Sequence, residues 1–256
     1  MKTIRIFCGI LFVLPLLTGC GIKTGYAPER VHVHQGSAQV AYAEAAGDSI
    51  TVMSWNIQYG RNVALALSEM RAHDRLKDAD IILLQEMDAD GVRLLADSLG
   101  FNFVYGPASV SPKNKDLFGN GVLSRWPIME HRVLVLPHET MLTGHRRIAV
   151  SADIDLGGRT LRAVSLHTAT MIMDQDKRME QAAAIRDSLG PHDGPVVMGG
   201  DFNTVSEYEV TLLRRVMRKM DMKTVRLPEG PTIANKYKKM PGEIPVLDHI
   251  FVKDLA

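Results

Sequence analysis

Two β-sheets packed face to face with helices outside them, an α/β architecture, is the fold that this 256-residue sequence predicts. Two observations predict the layering. Runs of β-forming residues alternate with helical stretches early in the chain, and strands then follow in quick succession, two of them joined by a Gly157-Gly158 hairpin turn. A third observation concerns chemistry: polar residues recur at the ends of apolar runs, where such a scaffold gathers a site. No period repeats along the chain, so one domain is expected.

Residues 50–55 alternate β-formers and lead into Asn56, as a first core strand does. Helical spacing follows at 64–71. Residues 80–85 form a continuous apolar run, the pattern of a strand buried on both faces. A helix is expected at 91–98, with Gly100 as its stop. A short strand at 102–105 leads into 106–119, which is polar and contains proline and reads as a loop. Strands are expected at 121–124, 129–135, 147–155 and 160–167. The strongest helix is 174–189, with Met179, Ala182, Ala183 and Ile185 on its inner face and Arg178 and Gln181 at its surface or behind a site. Residues 196–198, 207–219 and 246–252 read as strand, helix and final strand.

Charged residues make up 23% and hydrophobic residues 46%, a balance that belongs to a packed chain rather than a disordered one. The formal net charge is +1. Removing the first nineteen residues takes away Lys2 and Arg5 and no acid, which moves it to −1, so bulk charge gives no support for tight nucleic-acid binding. Those nineteen residues read as a signal peptide, with an apolar stretch at 6–17 too short for an ordinary membrane span. Leu17-Thr18-Gly19-Cys20 resembles the lipobox of bacterial lipoproteins, in which the cysteine is acylated; a plain secretory signal with an incidental Cys20 is the other reading. Cys8 lies in the cleaved segment, so the mature chain has no disulfide or cysteine metal site. Residues 20–48 read as a tether and 49–256 as the functional domain. The location expected is the bacterial cell envelope, on the periplasmic or outer-membrane side, with the chain a membrane-anchored monomer.

Asn56, Glu86, His167, Asp201 with Asn203, and Asp248 are the strand-end residues. An amide, several carboxylates and a histidine offer hard donors suited to Mg²⁺, Mn²⁺ or Ca²⁺. Each has a plainer explanation taken singly. Asn56 can cap a helix, His167 can be a hydrogen-bonded structural histidine, and Asp201 with Asn203 can form an Asx turn. Glu86 ends a buried run, where an acid is expensive unless paired or metal-bound.

The ordered set Ser54-Trp55-Asn56, Leu84-Gln85-Glu86, Leu166-His167-Thr168, Gly200-Asp201-Phe202-Asn203-Thr204 and Leu247-Asp248-His249 resembles the motifs of the endonuclease/exonuclease/phosphatase superfamily, the DNase I-like phosphoesterases. Gly119-Asn120-Gly121 and Arg146-Arg147 are similar to its central strand and the start of the next one. The resemblance implies a four-layer α/β sandwich and a metal-dependent hydrolase of phosphoester bonds acting by in-line water attack. It implies Glu86 as metal ligand with Asn56 beside it, Asp201 orienting or deprotonating water, and Asn203 holding water or a phosphoryl oxygen. His167 then contacts a phosphate oxygen or assists the leaving group, and Asn120 and Arg146 contact substrate. Asp248 matches a carboxylate that orients a later catalytic histidine. The family pattern continues past Ala256 to a further strand and an acid-histidine pair, so the chain is expected to lack both. His249 points to the opposite face from Asp248 and is not expected to replace the histidine. A catalytically inactive, lipid-anchored binding module on the same fold is the alternative. Nucleic acid, a phospholipid headgroup and small organic phosphates all remain as substrates. Lys113, Lys115, Lys236, Lys238 and Lys239 are loop charges available to phosphate.

Overall fold

The structure is a computed structural model that describes residues 32–38, 46–111, 116–140, 144–170, 172–190, 192–226, 232 and 246–255. The leader, Cys20, most of the tether and the five loop lysines lie outside the described residues.

The first sheet holds β1 (His34–Gly36), β2 (Val52–Asn56), β3 (Ile81–Met87), β4 (Asn102–Val110) and β5 (Leu117–Ser124), in the order β1-β4-β5-β3-β2. Its helices are α1 (Val63–Ala72), α2 (Asp74–Lys77) and α3 (Ala89–Leu99). The second sheet holds β6 (Ile128–Val135), β7 (Ile148–Asp155), β8 (Thr160–His167), β9 (Val196–Asp201), β10 (Lys223–Thr224) and β11 (Asp248–Lys253), in the order β10-β11-β9-β8-β7-β6. Its helices are α4 (Gln175–Ser188) and α5 (Glu207–Arg218). Each sheet contains one parallel pair, β2 with β3 and β8 with β9, and is otherwise antiparallel.

Three apolar layers hold the four structural layers together. Ile82, Leu84, Val92 and Leu95 join the first sheet to α1 and α3. Ile81, Leu83, Val150, Ala163 and Val197 fill the space between the sheets. Leu166, Ala182, Ile185, Met198 and Leu213 join the second sheet to α4 and α5. β3 alternates between the first two layers, which is why its run of Ile81 to Leu84 is apolar without a break. The result is a four-layer α/β sandwich. Local chemistry sets the helix ends: Asp88 caps α3 by accepting from the Gly91 amide, and Gly100 closes it in the left-handed conformation.

Two expectations need correction. Residues 106–119 are not one long loop, because β4 runs on to Val110 and β5 begins at Leu117. Pro107 sits at a register shift between these strands, where a missing backbone donor is tolerated. The expected tether also contains a strand, since β1 pairs antiparallel with β4, His34 opposite Tyr105.

Candidate active site

The parallel pairs make the C-terminal ends of β2, β3, β8 and β9 coincide at one end of the sandwich. Asn56 ends β2, Glu86 lies next to last in β3, His167 ends β8 and Asp201 ends β9. β11 runs the other way, so its first residue, Asp248, pairs with Asp201. The strand-end residues singled out in the sequence therefore meet at one mouth. Buried ties hold the two sheets together beneath it: Gln85 Nε2 donates to Ser165 Oγ at 3.0 Å, and Ser165 Oγ donates to the Leu84 carbonyl at 2.8 Å.

Asn56 Nδ2 donates to Asp201 Oδ2 at 2.9 Å across the sheets, and Asn56 Oδ1 accepts from the Gln58 amide. Asp201 Oδ1 accepts from the Asn203 amide at 2.9 Å, the Asx turn expected, and Asn203 Nδ2 is anchored on the Thr168 carbonyl. Burial pushes the Asp201 carboxyl up, opposed by the Asn56 and Asn203 hydrogen bonds and by the Arg147 charge. Asp248 is pushed up to about 7, first by burial and then by the charge of Asp201. Glu86 and Asn203 both hold left-handed backbone, φ 53° and 51°, as do Gln58 and Tyr59 in the turn after Asn56. Non-glycine residues in this region carry strain that surrounding contacts must enforce.

His167 is the best-defined chemical group of the site. Arg147 Nη1 lies 3.1 Å from His167 Nδ1. A guanidinium has no acceptor, so Nδ1 must accept and the ring proton sits on Nε2. That Nε2–H is buried, has no hydrogen-bond partner among the described residues, and lies 3.9 Å from Glu86 Oε1 and 3.8 Å from Asp201 Oδ2. Burial and the Arg147 charge hold the imidazole pKa well below its usual value, so the ring is a neutral donor. Arg147 itself is drawn toward Glu86 and Asp201 electrostatically, which offsets part of the cost of its burial.

Arg146, the expected substrate contact, has a side chain 44% exposed and lies 3.5 Å from Glu139; its neighbour Arg147 occupies the site instead. Asn120 is buried, with its amide hydrogens directed to the Ile148 and Ser165 carbonyls, so it ties the sheets and has only its oxygen to offer a substrate. Arg178 and Gln181 are buried rather than superficial. Arg178 pairs with Glu209 at 2.6 Å and donates to the Met173 carbonyl, while Gln181 accepts from the Ala169 amide. Both hold the segment that follows His167. His249 points away, as expected: its Nε2–H donates to Thr204 Oγ1, whose own proton goes to the Val246 carbonyl. An aromatic wall was missed in the sequence. Tyr59 packs edge-on against Phe118 at 5.1 Å, and Arg147 lies over the same Phe118 ring.

For a divalent ion the donor set is of the hard-oxygen type, Glu86 with the Asn56 amide oxygen. Among the described residues no group of three His, Cys, Asp or Glu side chains stands ready to hold an ion alone. One or two protein oxygens completed by water and substrate phosphate is the manner of Mg²⁺ binding, and the residues fit it.

Solved structures repeat this architecture. D. rerio TDP2 complexed with single strand DNA product is 20% identical at a TM-score of 0.61, covering 80% of this chain and 84% of that one. The human Nocturnin catalytic domain with bound sulfate anion is 19% identical at 0.61, covering 82% and 84%. A Bacteroides thetaiotaomicron mannosyl-6-phosphatase is 17% identical at 0.60, covering 80% and 85%. The family model described as Endonuclease/Exonuclease/phosphatase family matches residues 53–256, most of the chain and every strand from β3 to β11. With the sandwich, the ordered motifs and that match in agreement, this chain belongs to the endonuclease/exonuclease/phosphatase family.

Proposed function

We propose that the chain is a divalent-metal-dependent phosphoester hydrolase, exported and anchored to a membrane through acylated Cys20. The observation that carries the hydrolase reading is the convergence of Asn56, Glu86, His167 and Asp201 on one mouth, with Arg147 behind them and an unpartnered His167 Nε2–H in their midst. Glu86 and Asn56 would hold the ion. Once bound, it would supply charge neutralisation for the phosphoryl group and stabilisation of the departing alkoxide. Asp201, made more basic by burial, orients water and takes its proton, and Asn203 keeps that carboxylate aimed. The neutral Nε2–H of His167 donates to a phosphoryl oxygen, a donor prepared in advance for charge that grows during attack. Asp248 completes the carboxylate cluster beside Asp201.

The structural neighbours include one complexed with single strand DNA product, one with bound sulfate and a mannosyl-6-phosphatase, which supports a phosphoester substrate without ranking nucleic acid, lipid headgroup and small organic phosphate. The test is turnover of a chromogenic phosphodiester and a phosphomonoester by the mature chain with Mg²⁺ or Mn²⁺. EDTA is expected to abolish it, and Asp201→Ala to lower kcat by about 100-fold or more. Turnover indifferent to either change sinks the mechanism.

A further inference from the structure

The first described residues enter the fold from the side of the mouth. β1 is antiparallel to β4, with His34 opposite Tyr105 and Gly36 opposite Phe103. Tyr105 pairs with Gly121 and Pro107 with Gly119, and Gly119 pairs with Met87, the neighbour of Glu86. Gly121 also pairs with Leu84, so His34 meets the first sheet level with Leu84, two residues short of Glu86, and the residues just before it lie on the mouth side. It stands three strands from β3, about 14 Å to the side at ordinary strand spacing.

A second observation is independent of the first. Eight large hydrophobic residues are exposed among the described residues, and six of them ring this end. Val33 precedes β1, Leu65 is in the first turn of α1, Leu117 begins β5, and Val135 ends β6. Ile172, 76% exposed, follows β8 in the segment held by Arg178, and Tyr208, 61% exposed, begins α5 just after Asn203. Only Met129 sits at the opposite end, with Leu94 midway along α3. Single surface hydrophobics are ordinary, but scatter does not place six of eight around one opening.

We infer that this end is the membrane-facing surface: the apolar rim rests on the bilayer that carries the Cys20 anchor, and the site takes its phosphoester from the headgroup layer. The inference rests on the hydrolase and acylation readings above. Thirteen residues separate Cys20 from His34, a reach of at most about 50 Å when fully extended. Because the chain enters β1 from the mouth side, presenting the opposite end to the membrane requires this segment to double back along the sheet. Rim charges are mixed, Arg61 and Arg146 against Asp116 and Glu139, so contact depends on apolar insertion and not on anionic lipid.

Cys20 is the only cysteine after the leader, and once acylated it leaves an introduced thiol as the sole site for a label. The acylated full chain is reconstituted in phosphatidylcholine vesicles containing a spin-labelled lipid, with a fluorophore on Glu207→Cys beside the rim or on Arg159→Cys in the far hairpin. Quenching is expected at 207 and not at 159. The double variant Ile172→Asp with Tyr208→Asp is expected to lose about tenfold on a vesicle-embedded phosphodiester while keeping its rate on a soluble one. Equal quenching of the two labels, or stronger quenching at 159, overturns the orientation while the anchor stands. Self-quenching at 207 assigns the rim to a second copy and overturns it too. A chain that does not float with vesicles overturns the anchor and the inference together. Loss of soluble activity bears on the hydrolase reading alone, since the labels still report orientation.

Discussion

Residues 146 and 147 lead into β7 and part company because successive side chains of an extended chain point to opposite sides. The doublet was legible in the sequence; its phase was not, since a shift of one residue exchanges the buried arginine for the exposed one. The structure makes a sharp prediction of the difference. Arg147→Met frees His167 Nδ1 from its donor and leaves Glu86 and Asp201 without a buried counter-charge, so kcat/KM on a soluble phosphodiester is expected to fall about 100-fold. ¹⁵N NMR of the imidazole should show the tautomer no longer fixed. Arg146→Met, with its exposed side chain, is expected to change kcat/KM by no more than about threefold. Asp248 carries a prediction of stability. Its folded pKa of about 7 stands above the ordinary 3.8, so the native state holds this proton more tightly than the unfolded chain. The stabilisation is complete below about pH 4 and is lost as pH rises through about 7, a few kcal/mol at most. Asp248→Asn should therefore raise Tm at pH 8 and leave it nearly unchanged at pH 4, as thermal melts at the two pH values will show.

Elements with an internal pattern were readable: β3 from its unbroken apolar run, α3 from its glycine stop, and the β7–β8 hairpin from Gly157-Gly158. Elements defined by a distant partner were not. β1 has three residues without alternation and exists through its pairing with β4. The extended ends of β4 and β5 were hidden by Gly106, Pro107 and Gly119, which signal loops in isolation. Here glycine serves close approach, since a Cβ on Gly119 would lie 1.9 Å from the Gly106 carbonyl oxygen. The site followed the same division. Strand-end polar residues stood out against apolar runs, whereas the Tyr59–Phe118 wall joins residues from different strands and turns and has no local signature. β9 offers an element-scale test. A methyl on Gly200 would meet the Leu166 carbonyl oxygen of β8 at 1.8 Å, backbone against backbone in the pair that aligns Asp201 with His167. Gly200→Ala is expected to destabilise by about 3 kcal/mol or more in chemical denaturation, because neither strand can yield without moving the site.

The whole molecule has a closely packed floor and a mouth that gathers charge. If Glu86 and Asn56 hold Mg²⁺, the ion binds the native state alone, and at about 100 times Kd it adds about 2.7 kcal/mol to stability. Calorimetry should find a Tm rise of several degrees with the wild-type chain and none with Glu86→Gln. The distribution of backbone strain adds a consequence for any attempt to harden this protein against heat. Among the described residues, six of the eight non-glycine positions with left-handed backbone cluster around the mouth, Gln58, Tyr59, Glu86 and Asn203 among them. Glycine relieves strain at Glu86 but deletes the proposed metal ligand, and at Asn203 it deletes the amide that anchors the turn on the Thr168 carbonyl. A library screened for thermal resistance alone would therefore be drawn to the mouth for its easiest gains, and would return sturdy proteins that hydrolyse nothing.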